Sequence, residues 1–238
     1  MKLQDLKIKI FADGANLEEM LSVYHKGVVR GFTTNPSLMK KAGVKDYKAF
    51  ARTVLQHIPD DAVSFEVFSD DFSTMEKEAK VLSALGDNVY VKIPVMNTKG
   101  ESSVPLIKKL SAQGCLLNVT AIFTLTQVTA VVDALSPDVP AIISVFAGRI
   151  ADAGVDAAAL MKEAAKICAK KPKAELLWAS CREFYNIMEA EKCGCQIITV
   201  PNDILAKSKN YGKDLTAYSL ETVQGFYKDA SGLGFTIL

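Results

Sequence analysis

The chain is expected to fold as an α/β protein, a (β/α)8 TIM barrel with an additional C-terminal helix. Three observations lead there. Short apolar, β-rich runs alternate with amphipathic stretches eight times over about 230 residues, the alternation that builds a parallel sheet flanked by helices. No linker interrupts this alternation, so residues 1–238 are expected to form one domain; at 49% apolar content such a chain can bury one sizeable core. Polar side chains also gather where the C-terminal ends of the strands should fall, the face on which barrels of this type carry chemistry. A doubly wound open sheet is the competing arrangement.

In chain order, a strand over residues 8–13 closes on Asp13 and is followed by a helix over 16–26. The second strand, 31–35, ends in Thr33-Thr34-Asn35, with a helix next over 47–57. The third, 63–68, contains Glu66 and leads to a helix over 73–85; the fourth, 89–95, contains Lys92 and leads to a helix over 104–113. Asn118 and Thr120 lie in the fifth strand, 115–122, ahead of a helix over 125–135. The sixth, 141–148, holds Ser144 and is bounded by Arg149, before a helix over 157–170. Ser180 and Arg182 mark the end of the seventh, 175–181, and 196–201 is the eighth. The helical stretches repeat their apolar residues at helical spacing. A last helix over 216–229, with Leu215, Tyr218, Val223, Phe226 and Tyr227, carries too much apolar surface to leave in water.

Lys92 is the most informative residue. It stands inside Val89-Tyr90-Val91-Lys92-Ile93-Pro94-Val95, where a core strand would carry another aliphatic side chain. Lysine is seldom buried unless paired, and burial favours the neutral amine that attacks carbonyls, the requirement of Schiff-base chemistry. A lysine at a strand end reaching solvent along its own stem is the ordinary alternative. Each of the other strand-end residues also has an ordinary explanation: Asp13 or Asn35 as a helix cap, Thr120 as a satisfied core hydroxyl, Arg149 as a surface charge. Seven strands ending alike place a lysine, two carboxylates, small hydroxyl and amide groups and two arginines around one mouth.

Composition narrows the function. Lys and Arg total 28 against 27 Asp and Glu, which gives no electrostatic case for nucleic acid or an acidic membrane. No hydrophobic leader is read in Met1-Lys2-Leu3-Gln4-Asp5 and no membrane-spanning run elsewhere, so a cytoplasmic protein is expected. The five cysteines are scattered, with Cys193-Gly194-Cys195 the one cluster, and are expected to be reduced structural thiols. His25 and His57 fall in helices, and no metal or other cofactor is expected.

Six segments together resemble the transaldolase family, especially its smaller members, over almost the full length. They are Phe11-Ala12-Asp13-Gly14-Ala15-Asn16, Gly31-Phe32-Thr33-Thr34-Asn35-Pro36-Ser37-Leu38, Val91-Lys92-Ile93-Pro94, Asn118-Val119-Thr120, Ser144-Val145-Phe146-Ala147-Gly148-Arg149 and Ala179-Ser180-Cys181-Arg182. Gly14 stands where Thr is common and Val145 where Pro is common. The resemblance implies a circularly permuted class I aldolase barrel that transfers a dihydroxyacetone unit from a ketose phosphate (fructose 6-phosphate or sedoheptulose 7-phosphate) to an aldose phosphate through a Schiff base on Lys92. It implies Asp13 as the base for the C4 hydroxyl, and Glu66, with a water held by Thr120, for proton traffic at the imine. Thr33, Asn35, Asn118 and Ser144 would orient hydroxyls, and Arg149, Arg182 and Ser180 would hold the terminal phosphate. Fructose 6-phosphate aldolases of the same family carry Gln for the third-strand Glu and Tyr in the sixth-strand motif; Glu66 and Phe146 here favour group transfer. A sulfonate could replace the phosphate, which leaves a modified sugar open. A catalytically silent sugar-phosphate-binding barrel and a phosphosugar isomerase are the rival readings. The resemblance also implies a homo-oligomer, decamer or smaller, interlocked through the C-terminal helix.

Overall fold

In a computed structural model, which describes residues 3–235 and 237, eight parallel strands close into a barrel in the order β1 to β8. Met1 and Lys2, with which the leader reading begins, lie outside the described residues. The first half contains β1 (Lys9–Asp13), α1 (Leu17–His25), β2 (Gly31–Thr33), α2 (Pro36–Lys41), α3 (Tyr47–His57), β3 (Ala62–Glu66), α4 (Phe72–Ser83), β4 (Val89–Pro94) and α5 (Val104–Ala112). The second contains β5 (Leu117–Ile122), α6 (Leu125–Ala134), β6 (Ala141–Val145), α7 (Ala147–Asp152), α8 (Ala157–Cys168), β7 (Ala174–Trp178), α9 (Asn186–Lys192), β8 (Ile197–Pro201), α10 (Asn202–Leu205) and α11 (Leu215–Ser231). The (β/α)8 barrel with its extra C-terminal helix is therefore as expected.

Helix starts are written locally. Asn16, Asn35, Asp46, Asp71, Asp156 and Asp214 each accept a hydrogen bond from a backbone N–H of the first turn, and Thr124 forms a reciprocal capping box with Gln127. Several strand ends differ from the expectation, one of them because of such a cap. Asn35 leaves β2 because its side chain caps α2, so the strand stops at Thr33 rather than 35. The sixth strand stops at Val145, and Ala147, Gly148 and Arg149 belong to the short helix α7. The seventh stops at Trp178, so Ser180 and Arg182 lie in the loop that follows. Helices α2, α7, α9 and α10 are too short for periodicity to mark, and they fill what reads as loop.

The barrel has two cores. Outward residues such as Ile10, Phe65, Val91, Ile93, Val119, Ile143 and Val200 pack with the helices in one continuous cluster. Inward residues Phe11, Ile142, Leu177, Ala179 and Ile197, with Tyr90 and Ala62 against them, form a separate plug inside the barrel. Successive strand residues face opposite sides, so the inward position two residues beyond a plug residue lies one layer nearer the C-terminal face. Those positions read Asp13 after Phe11, Lys92 after Tyr90, Ser144 after Ile142 and Thr199 after Ile197. Lys92 thus sits in an apolar run because Val91 and Ile93 face the helices while it faces the barrel axis.

All five cysteines are buried free thiols, and burial pushes the Cys168 and Cys181 thiols up to about 12. His25 and His57 are the last residues of α1 and α3 and are exposed. Among the described residues no helix is long and apolar enough to cross a membrane. Helix α11 has no buried residue: Leu215 is 80% exposed, Phe226 70% and Tyr227 76%.

The plug dictates Gly31. A Cβ there would lie 2.6 Å from two ring carbons of Phe11, so the Phe11 ring occupies the space a side chain would need. Gly31→Ala should destabilise the barrel by about 1–3 kcal/mol, the usual cost of overpacking a filled core, read as a lowered Tm in thermal melts followed by circular dichroism. An unchanged Tm would show that the plug can relax.

Candidate active site

Ten of the residues singled out from sequence line one cavity of about 210 Å³ at the C-terminal face: Asp13, Thr33, Asn35, Lys92, Thr120, Ser144, Phe146, Arg149, Ser180 and Arg182. Glu66 and Asn118 join it through hydrogen bonds and ion pairs rather than by lining it. Strand register brings them together, since Lys92 stands beside Glu66 on β3 and beside Asn118 on β5.

Lys92 is 7% exposed, and its Nζ lies 3.0 Å from Glu66 Oε2 and donates to the Thr34 carbonyl at 2.7 Å. The ammonium is therefore paired, as a buried one must be. Glu66 itself faces a neighbouring chamber of about 570 Å³, walled also by Tyr47, Phe68 and Glu78. The Tyr47 hydroxyl donates to the Glu66 carbonyl at 2.8 Å, and the Tyr47 ring stacks on Phe68 with centroids 4.6 Å apart.

Asp13 accepts a hydrogen bond from Thr33 Oγ1 at 2.7 Å. Burial holds its carboxyl above the usual range; the charge of Lys92 and the Thr33 bond act against that rise, and the charge of Glu66 adds to it. Behind Thr33 lies Thr199 of β8, whose hydroxyl is hydrogen-bonded to that of Thr33. Sequence inspection passes over Thr199 because a threonine in Ile-Ile-Thr-Val-Pro reads as an ordinary β-branched strand former. Ser64 escapes notice for a similar reason: Asn118 Nδ2 donates to Ser64 Oγ at 2.9 Å, and Ser144 Oγ donates to Asn118 Oδ1 at 2.6 Å. The Asn118 amide thus bridges two hydroxyls in the barrel wall. Asn35 has two employments, lining the cavity while its Oδ1 accepts from Leu38 N at 2.9 Å.

The rim is built from α7 and the loop after β7. The Arg149 guanidinium lies 5.3 Å from the centroid of the Phe146 ring, and among the described residues no carboxylate pairs with it. Arg182 is paired already. Its Nε donates to both carboxylate oxygens of Asp152, at 3.2 and 3.0 Å, and its Nη2 to one of them. Asp152 gives no sign in the sequence, where an acid on a helix reads as a surface charge. Thr120 is buried at the β5 bulge, next to Ala121 at φ 58°, and Ser180 has φ 65°. Among the described residues these are the two non-glycine positions in the left-handed region, and both adjoin the cavity.

Comparison with known proteins gives this barrel a family. Residues 10–237 match the family model described as Transaldolase/Fructose-6-phosphate aldolase, and the chain belongs to that family. A probable transaldolase of Nitrosopumilus maritimus is 37% identical over 224 residues, covering 93% of this chain and 94% of the relative. Those of Dehalococcoides mccartyi (34% over 199 residues, 83% and 88% covered) and Caldicellulosiruptor saccharolyticus (35% over 224 residues, 93% and 96%) are similar. Among solved structures, 2,3-dimethylmalate lyase, of the PEP mutase/isocitrate lyase superfamily, superposes with a TM-score of 0.57 at 14% identity over 99% of this chain and 89% of its own. A mandelate racemase/muconate lactonizing enzyme-like protein from Rubrobacter xylanophilus gives 0.57 at 10% identity, covering 86% of this chain and 56% of that one. These two likenesses concern the fold alone.

Gly148 seats the rim loop on α7. A Cβ at Gly148 would lie 1.6 Å from the Ser180 carbonyl oxygen and 2.7 Å from its carbon, so backbone must move to admit it. Gly148→Ala should cost about 3 kcal/mol, the upper end of overpacking, and should displace the Ser180 to Arg182 turn in a crystal structure. A variant of unchanged stability with the turn in place would remove the reason for glycine.

Proposed function

We propose that the protein is a transaldolase that moves a dihydroxyacetone unit from a ketose phosphate to an aldose phosphate through an imine on Lys92. The observation that carries this reading is the buried Lys92 Nζ, held 3.0 Å from Glu66 and opening onto a cavity that also contains Asp13, with arginines at its rim. Family membership supports the same chemistry.

The proton of the ammonium passes to Glu66, and the free amine attacks the C2 carbonyl. Water leaves the carbinolamine, with Glu66 and a water ordered by Thr120 moving the protons. Asp13 then takes the C4 hydroxyl proton. The C3–C4 bond breaks, its electrons pass into the iminium to give an enamine on Lys92, and C4 leaves as the aldehyde of the shorter aldose phosphate. An acceptor aldehyde reverses these steps, and hydrolysis of the imine frees Lys92. Ser144, Thr33 and Asn35 orient the hydroxyls, with Asn118 holding Ser144 in place. Glu66 and Phe146 support transfer over release of free dihydroxyacetone, because Phe146 has no hydroxyl to reposition the hydrolytic water.

Borohydride added with fructose 6-phosphate should fix a reduced three-carbon unit on Lys92, identified by peptide mass analysis. Lys92→Ala should lose the adduct and several orders of magnitude in turnover; an adduct on another lysine would refute the reading. The rim arginines should differ in weight. Among the described residues Arg149 has no carboxylate partner whereas Arg182 is partly neutralised by Asp152, so Arg149→Ala should weaken binding of phosphorylated ketoses by about 2 kcal/mol and Arg182→Ala by about 1 kcal/mol, read from KM. Unphosphorylated fructose should respond to neither. Equal losses on both sugars would make the arginines structural.

We further infer a homo-oligomer in which α11 packs on another copy of the chain, since Leu215, Val223, Phe226 and Tyr227 are exposed on one helix. Truncation after Asp214 should give a smaller assembly in light scattering. An intact chain that is monomeric at micromolar concentration would defeat this.

A further inference from the structure

We infer that Thr199 is a positioning residue that keeps Asp13 in its proton-accepting form, acting through Thr33. The geometry is a row of three groups on adjacent strands. Thr199 on β8 stands beside Phe11 of β1, and Asp13, one inward position further along β1, stands beside Thr33 of β2. Thr199 is 5% exposed and Thr33 3%, so the two hydroxyls are buried, while Asp13 at the end of the row is half-buried and faces the cavity.

Counting hydrogens gives the row a direction. Thr33 Oγ1 lies 2.7 Å from Asp13 Oδ1 and 2.5 Å from Thr199 Oγ1. A hydroxyl has one hydrogen to give, and an ionised carboxylate can only accept. While Asp13 is ionised, the Thr33 hydrogen is therefore committed to it, and the hydrogen between the two threonines must come from Thr199. Donation into Thr33 polarises its O–H and strengthens its bond to the carboxylate, an effect that a low-dielectric interior enlarges. Once Asp13 takes a proton it is a weaker acceptor and can itself donate to Thr33, so the hydrogen from Thr199 counts for less, and Thr199 favours the ionised acid over the protonated one.

The charged groups around Asp13 are Lys92 from β4 and Glu66 from β3, Arg149 of α7 and Arg182 of the loop after β7 on the same cavity, and Glu19 of α1, Lys41 of α2 and Asp203 of α10 lining the chamber on its other side. Thr199→Val leaves each of them in place and keeps the shape of the side chain. It removes the hydrogen that Thr33 receives and nothing charged.

The inference rests on the reading of Asp13 as base for the C4 hydroxyl, and the test separates the two. Retro-aldol cleavage of fructose 6-phosphate in single turnover is followed from about pH 5 to 9 in the wild type, Thr199→Val, Thr199→Ser and Asp13→Asn, with borohydride trapping of the imine measured in parallel. Because cleavage needs the ionised acid, its rate rises with pH through the Asp13 titration. Loss of one buried hydrogen bond to the donor should move that rise up by about half to one pH unit in Thr199→Val, while Thr199→Ser stays near the wild type and the profile of imine formation does not move. Thr199→Ala carries the same expectation should valine strain the barrel. A lower plateau with an unmoved rise, a downward shift, an equal shift in imine formation, or profiles flat in every variant would overturn the role of Thr199. If Asp13→Asn cleaves normally, the assignment of Asp13 fails first; if that variant is inactive and the rise in Thr199→Val stays put, Thr199 alone is dismissed.

Discussion

Closing a sheet into a barrel buries both of its faces, and each face then has a different task. The outer face meets helices and tolerates any aliphatic side chain that packs. The inner face encloses a fixed volume, and the Phe11, Ile142, Leu177 and Ile197 plug fills its lower part. Whatever points inward one layer above that plug can neither retreat into protein nor escape along the strand. Asp13, Lys92, Ser144 and Thr199 are held in that layer, with Glu66 beside Lys92 across the β3–β4 ladder. Rigid strands, not loops, thus set the spacing of the groups proposed to do chemistry, which is how such groups are kept within the small tolerances catalysis needs.

Burial in this layer also sets the electrostatics. A lone ammonium there would be costly, and the Glu66 carboxylate and the Thr34 carbonyl share the load. Asp13 is the counterpart: burial raises its carboxyl above the usual range, and Lys92 and Thr33 pull against that. The two acids therefore have different surroundings, one in contact with the amine and the other at the end of a hydroxyl row. Groups of the same type placed in unlike environments are what a reaction with two kinds of proton transfer requires.

The rim obeys a second constraint, the close approach of α7 to the loop after β7. Gly148 admits the Ser180 carbonyl where any side chain would collide, and Ser180 itself is in the left-handed region at that contact. Helix α7 then carries both Arg149 and the Asp152 that holds Arg182. Three residues of this helix, Gly148, Arg149 and Asp152, thus arrange the cationic edge of the cavity, apart from the strands that hold Lys92 and Asp13.

Much of this was legible in the chain itself. Eight alternations name the barrel, an amine in an apolar strand marks an inward position that is not packing, and segments such as Thr-Thr-Asn-Pro carry the family, because alternation and local motifs are properties of contiguous residues. Helix caps such as Asn16 and Asp46 are legible for the same reason. The limits of the strands at Thr33, Val145 and Trp178 were less so, since the first depends on Asn35 turning back to cap α2, the second on α7 beginning at Ala147 and the third on the loop that leads to α9. What the tertiary structure alone decided is pairing between distant segments: Glu66 against Lys92, Thr199 against Thr33, Ser64 against Asn118 and Asp152 against Arg182. Those partners are set by strand register and by loops docking across the mouth, and nothing in the local composition around a threonine or an aspartate records which hydroxyl or guanidinium the closed barrel will bring to it.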